Sequence, residues 1–221
     1  MISVIIPTLN EKSVIDSTLR HLQSLGGNFE VIVVDGGSRD GTTEVAGGYF
    51  TVVSSPPGRA VQMNSGAKLA RGETLLFLHA DTLLPSGAFS FIAEALSDPD
   101  IIGGRFRIRL DNRRPIFRLI SWGINLRDRL IGGFTGDQTI FVRRKIFEEM
   151  GGYRELPLME DLDLALRLQR SGKLARIQDP VVTSARRWEK HGPLRTTLLM
   201  WALRWLFMLG VPPPILKKLW R

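Results

Sequence analysis

Three short segments carry acidic residues that could do chemistry: Asp35 to Asp40, His79-Ala80-Asp81, and Glu160-Asp161. Arginines stand at Arg59 and at Arg186-Arg187-Trp188, and His191 follows closely. A carboxylate at a strand end can accept a hydrogen bond from a base edge, or act as a hard oxygen ligand for a divalent cation. Carboxylates opening a helix can serve as a general base or simply complement the helix dipole. An arginine fork binds two phosphate oxygens at once. Each cluster also has a plainer reading. Asp40 and Asn10 fit helix caps, Asp81 could cap a following helix, and His191 could be solvated or face lipid.

The elements that must hold these residues are legible from hydrophobic period. Val4-Ile5-Ile6, closed by Pro7, and Val31 to Val34 read as buried strands. Phe50 to Val53 and Leu75 to Leu78 read the same way. Helical patterns run from Asn10-Glu11 to Leu25, from Gly58 to Leu69 and from Pro85 to Leu96, with a short helix after the turn-rich Asp35 to Thr42 loop. Buried strand, polar loop and helix in alternation predict a doubly wound, mostly parallel α/β sheet. Ligands bind such sheets outside the carboxyl ends of the strands, where Thr8-Asn10-Glu11, Asp35 to Asp40 and His79-Asp81 should converge.

Further on, Ile101 to Leu110 alternates Arg105, Arg107 and Arg109 with apolar residues, predicting a half-exposed strand with a basic face. Pro115 to Ile131 reads as a helix, Gly132 to Gly136 as a flexible loop, Gln138 to Val142 as a strand and Glu160 to Gln169 as a helix. No internal repeat or low-complexity segment interrupts the 221 residues.

Composition sets outer bounds. Hydrophobic residues make up 43% and there is no cysteine, so a disulfide framework, a thiol nucleophile and a Cys-ligated zinc are excluded. The N-terminus lacks the basic start and long apolar run of a signal peptide, so a cytoplasmic or cytosol-facing protein is expected. Net charge is +8, but from residue 186 onward eight basic residues meet one acid, Glu189. The rest is therefore close to neutral. The same end holds the apolar run Leu198 to Leu209, shorter than the ~20 residues of a membrane span. A domain over 1–192 and a basic, apolar helical tail over 193–221 follow. The tail is expected at a membrane surface, on the inner face, with Trp201, Trp205 and Trp220 at head-group depth. Arg195, Lys217, Lys218 and Arg221 would meet anionic lipid, and Val211 to Pro214 would break the tail into two helices. Packing on the domain, or pairing of two subunits as a homodimer, is the competing use of that face. Nucleic acid fits an end rich in Leu, Met, Trp and Phe less well than lipid does.

Four segments resemble a known family. Val4 to Glu11 (VIIPTLNE), Val33 to Thr42 (VVDGGSRDGT), Phe77 to Thr82 (FLHADT) and Met159 to Asp163 (MEDLD) are similar to motifs of family 2 glycosyltransferases, in the family's order and over roughly residues 1 to 190. The resemblance implies a GT-A, Rossmann-related fold and an inverting, nucleotide-sugar-dependent transferase of the hexosyltransferase class. It implies that Asp35 meets the base of the donor, a UDP-sugar by preference, and that Pro7, Thr8, Asn10 and Glu11 line the same pocket. Arg59, Asn64, His79, Arg186 and Arg187 join that donor site. Asp81 would hold a divalent metal, Mn2+ or Mg2+, with His191 completing the shell. His79 departs from the family's Asp-x-Asp, and imidazole suits manganese better than magnesium. Asp161, with Glu160 beside it, would be the general base that takes the acceptor's proton. The acceptor is not readable, although the tail suggests a lipid-linked or lipid-soluble one.

Two other readings remain open on the residues. A sugar nucleotidyltransferase would need a glycine-rich phosphate loop after the first strand, and Thr8-Leu9-Asn10-Glu11 is not one. A binding-only relic at a membrane surface would explain His79.

Overall fold

The computed structural model describes residues 1–220; Arg221, named above among the basic residues of the tail, lies outside the described residues. Its elements are β1 (Ile2–Thr8), α1 (Lys12–Ser24), β2 (Phe29–Asp35), α2 (Thr42–Gly47), β3 (Thr51–Ser54), α3 (Arg59–Leu69), β4 (Thr74–Phe77), β5 (Thr82–Leu83) and α4 (Ala88–Ala95). Then come β6 (Ile101–Leu110), α5 (Pro115–Ile131), β7 (Ile140–Arg143), α6 (Arg144–Glu149), α7 (Glu160–Ser171), β8 (Lys173–Thr183), α8 (Arg186–His191), α9 (Pro193–Met208) and α10 (Pro213–Leu219). One sheet of eight strands runs in the order β3-β2-β1-β4-β7-β6-β8-β5.

The first four of these strands pair in parallel, as the continuous apolar runs predict. Val4 and Ile6 face one core with Ile15, Leu19 and Leu22 of α1, while Ile5 faces the other with Ala60 and Met63 of α3. Covering both faces is what removes the polar alternation. Gly66 lets α3 lie close to the sheet, because a Cβ there would stand 2.5 Å from Ile5 Cγ2. Pro7 does not close β1. It pairs with Val34 beyond the last β1–β4 pair, Ile5 with Phe77, so its missing N–H costs that ladder nothing.

The far half of the sheet is mixed. β7 is antiparallel to β4 and β6, β8 is parallel to β6, and β5 is antiparallel to β8. The predicted basic face of β6 is therefore only partly exposed. Arg107 and Arg109 face solvent, but Arg105 is buried, with Nη2 2.8 Å from Asp128 Oδ1. Arg176 reaches the other oxygen of Asp128 at 3.1 Å. A register shift between Phe106 and Arg107 separates the buried from the exposed arginines.

The tail is helical and broken before Pro213, as the sequence predicts, but it is not a separate appendage. Thr196, Leu203 and Arg204 of α9 and Leu216 of α10 are buried. Arg204 donates to the carbonyls of Gly132 and Gly133, both at positive φ, and so ties the tail to the loop after α5. Among the described residues no helix is long and apolar enough to cross a membrane.

Candidate active site

The carboxyl ends of β1 and β4 and the N-terminal ends of α3 and α7 meet around a cavity of about 230 Å³, which α5, α8, α9 and the end of α10 close. Pro7, Glu11, Arg59, His79, Asp81, Glu160, Asp161, Arg186 and Arg187 all line it. Nine residues chosen from sequence thus come together, from segments spread over most of the chain.

Two carboxylates face one cation at one end. Arg186 Nη2 lies 2.7 Å from Glu11 Oε2 and 3.1 Å from Asp81 Oδ2. Glu11 Oε2 is buried and has no well-aligned hydrogen bond, so the close approach of Arg186 is its only compensation. Asp81 is not a cap: α4 begins at Ala88 with Gly87 as its N-cap. Hard oxygens of this kind suit a divalent cation whose other ligands come from substrate phosphates. The protein alone does not surround an ion. Among the described residues no group of three His, Asp or Glu side chains is arranged for one, and His191 is exposed and outside the cavity. His191, expected beside Asp81, does not line the cavity, whereas Glu11 shares Arg186 with Asp81.

The middle of the cavity is built on a strained backbone. Met159, the N-cap of α7, has φ of 69°, an uncommon conformation for a residue other than glycine, and it lines the cavity. The turn aims the first residues of α7 inward. Asp161 accepts from the N–H of Gly136 through Oδ2 and from that of Leu162 through Oδ1, each at 2.7 Å. Glu160 is buried, and burial together with the neighbouring Asp161 charge raises its pKa, although Arg59 Nη1 at 3.7 Å opposes this.

His79 is a hydrogen-bond partner of Asp137 at 3.1 Å. Burial pulls the imidazole pKa down, and the bond to Asp137 together with the Asp137 and Asp81 charges outweighs it, so the net shift is upward. The bond fixes Nδ1 on Asp137 and leaves Nε2 as the ring atom able to act on a ligand. Arg187 stacks 3.4 Å from the Trp220 ring and donates to the Trp220 carbonyl. Trp220 is thus part of the cavity wall with Met200 and Arg204, which corrects its expected place at head-group depth. A division at residue 192 does not separate the tail from the site.

Thr8, Asn10, Asp35 and Asn64 do not line the cavity. Asp35 is buried and its oxygens take four hydrogen bonds, from Gly37 N, Ser38 N, Ser38 Oγ and Thr8 Oγ1. Asn10, at φ 56°, donates its N–H to Ser38 Oγ and accepts from Arg39 N, so it laces two loops instead of capping α1. Asp40 does the capping, accepting from Lys12 N and Thr42 N at the starts of α1 and α2. Asn64 is fully occupied by the Tyr153 backbone, donating to its carbonyl and accepting from its N–H. Thr8, Asn10 and Asp35 form a ledge at the carboxyl ends of β1 and β2, next along the chain from Glu11, and Asn64 lies apart on α3.

Sequence reasoning missed Asp137, Arg127 and Arg204. Asp137 follows the Gly132 to Gly136 loop, and a carboxylate after a glycine-rich loop was the available signal. Arg127 lies on an ordinary amphipathic helix and nothing local marks it, whereas Arg204 is the one charged residue in the apolar run Leu198 to Leu209, and that isolation was its signal.

With this geometry in place, comparison with known proteins decides the family. Residues 3–152 match the family model described as glycosyl transferase family 2. The chain belongs to glycosyl transferase family 2. A PGL/p-HBAD biosynthesis glycosyltransferase of Mycobacterium bovis BCG is 30% identical over 216 residues, covering 90% of this chain and 80% of that protein. A probable glycosyltransferase of Bacillus subtilis, YdaM, is 26% identical over 217 residues, covering 86% of this chain and 50% of that one. Among solved structures, the mannosyltransferase PcManGT of Pyrobaculum calidifontis, in complex with GDP-Man and Mn2+, superposes with a TM-score of 0.69 at 21% identity, covering 99% of this chain and 67% of that one. S. aureus TarS residues 1–349 with UDP-GlcNAc gives 0.67 at 19% identity, covering 83% of this chain and 58% of that one. The fold is GT-A-like, and the family and its named members make the chain a nucleotide-sugar-dependent glycosyltransferase.

Proposed function

We propose that this family 2 enzyme moves a sugar from a nucleoside-diphosphate sugar to an acceptor hydroxyl with inversion. One observation carries the reading: Glu160-Asp161, on the strained start of α7, shares a cavity with the Glu11–Arg186–Asp81 cluster. Arg59, Arg186 and Arg187 bind and orient the diphosphate, their forks matching its oxygens. Asp81 and Glu11 would hold a divalent cation, Mn2+ or Mg2+, whose charge stabilises the departing diphosphate when bound. Arg186 releases one of its two carboxylates when the donor arrives. Asp161, held by the Gly136 and Leu162 N–H groups, takes the acceptor proton, while Glu160 keeps Arg59 in place. The base lies on the ledge shaped by Thr8, Asn10 and Asp35. A single displacement at the anomeric carbon needs no protein nucleophile, so inversion follows.

The acceptor in this reading is lipid-linked or lipid-soluble, and the enzyme is peripheral on the cytosolic face of a membrane. Supporting this are the exposed Leu194, Leu198, Trp201, Trp205 and Leu209 of α9, joined by Leu119, Trp122 and Leu130 of the adjoining α5. Arg195, Lys217 and Lys218 are exposed on the same two tail helices, α9 and α10, as an anionic bilayer requires.

One assay addresses both parts. Incubated with manganese and a nucleotide sugar, the protein should release free nucleoside diphosphate even with water as acceptor. It should also pellet with phosphatidylglycerol vesicles and be freed by salt. A protein that binds donor but releases no diphosphate is a binding-only relic. One that releases diphosphate but ignores vesicles and sediments as a dimer uses its apolar face to pair subunits.

A further inference from the structure

We propose that Arg127 and the apolar cleft behind it form the acceptor subsite, and that the acceptor is an amphiphile carrying an anionic group next to an apolar body. This rests on the transferase reading and adds the acceptor's chemistry to it. Arg127 extends from α5 into the cavity wall. Its Nε and Nη2 are both buried and have no hydrogen-bond partner, and it forms no ion pair among the described residues.

The nearby acids are already engaged. Asp128 is shared by Arg105 and Arg176, Asp137 bonds His79, and Asp161 accepts two backbone N–H groups. Burial lowers the Arg127 pKa, and the same burial takes that of Arg204 down to about 10, with the Arg127 charge adding to the shift. Two desolvated guanidinium groups in mutual repulsion, one with open N–H donors, form a receptor for a carboxylate or phosphate.

The donor's diphosphate has its own place. Both arginines feel Asp137 and Asp161, but only Arg59 feels Glu160 and Asp81, and only Arg127 feels Asp128. Arg127 thus belongs to the side of the base, away from the Glu11–Asp81 end. It also lines a narrow side cleft of about 20 Å³, whose wall is mostly apolar (Ile120, Ile124, Trp188, Met200 and Trp201) with Thr135, Asp137 and Thr197 among it. Trp201, in the wall of this cleft, is 41% exposed and belongs to the apolar face of α9. The cleft has room for little more than one water as it stands, so an acceptor hydroxyl at Asp161, an acid at Arg127 and a chain running past the cleft toward the apolar face describe one molecule.

The test uses the full chain and n-octyl phosphate below its micelle concentration, with n-octanol and inorganic phosphate as controls. Trp188 and Trp201 fluorescence reads cleft occupancy. Octyl phosphate should bind wild type and bind R127Q at least about tenfold more weakly, the loss expected for a charge-assisted hydrogen bond. Octanol should bind both alike, and R127K should fall between. R127Q should melt no lower than wild type, since it removes an uncompensated buried charge, and should keep donor-dependent stabilisation. Equal octyl phosphate binding by R127Q overturns the subsite. So does loss of donor stabilisation in R127Q, which would put Arg127 on the diphosphate, and so does inorganic phosphate binding as tightly as octyl phosphate. The octyl phosphate arm needs no donor, so it decides the subsite even where nucleotide sugars fail to bind.

Discussion

Asp161→Asn is expected to cut nucleoside-diphosphate release by about 10²–10⁴-fold, the usual contribution of a general base. The substitution keeps the size of the side chain and removes its capacity to take a proton. Asp161 accepts from Gly136 N and Leu162 N through different oxygens, and an amide can accept only through one. A small stability loss of about 1 kcal/mol should therefore accompany the kinetic effect, as for one hydrogen bond. Donor affinity should hold within about threefold, because the diphosphate arginines are untouched. Single-turnover release with saturating donor separates the two effects. If Asp161→Asn retained near-normal release, the base would move to Glu160, whose pKa is raised by burial and by the Asp161 charge.

The second large effect is expected at Asp81. Asp81→Ala should abolish manganese-dependent stabilisation by donor and leave the fold intact. Arg186 keeps Glu11 at 2.7 Å when Asp81 is removed, and Asp81 itself caps no helix. Loss of one of two carboxylates should weaken a cation that takes its other ligands from phosphates and water. The measurement is a melting curve with donor, with and without manganese. A variant stabilised as much as wild type in both conditions would remove Asp81 from the metal, and a lower melting temperature without any ligand would give it a structural part instead.

Much of this site could be seen before any coordinates. Glu11 and the His79-Asp81 cluster at two strand ends, the helix opened by Glu160-Asp161 and the arginines at 59, 186 and 187 depend on local patterns, and local patterns survive folding. What could not be read is contact at long range. Arg105 alternates perfectly with its apolar neighbours, yet Asp128 on the following helix draws it inside. For Asp35, pattern does not show that the turn it precedes supplies three N–H and O–H donors and Thr8 a fourth. Trp220 has the composition of a lipid anchor, yet Arg187 offers it a cation face 3.4 Å away. The tail shows why such errors occur. Its apolar run has one face packed on α5 and α8 and another left open, and period alone does not assign the faces.

The account stands on the cavity being a nucleotide-sugar site, and a thermal-shift panel of UDP-, GDP- and dTDP-sugars with manganese tests that most directly. A donor present at about 100 times its Kd stabilises the folded state by about 2.7 kcal/mol. For a chain of 221 residues that corresponds to a rise in Tm of roughly 5–10 °C. One of the three bases should give this rise, larger with manganese than without, and the free nucleoside diphosphate should give much of it. A protein that melts cooperatively but shifts with none of the three, at any manganese concentration, would contradict the account.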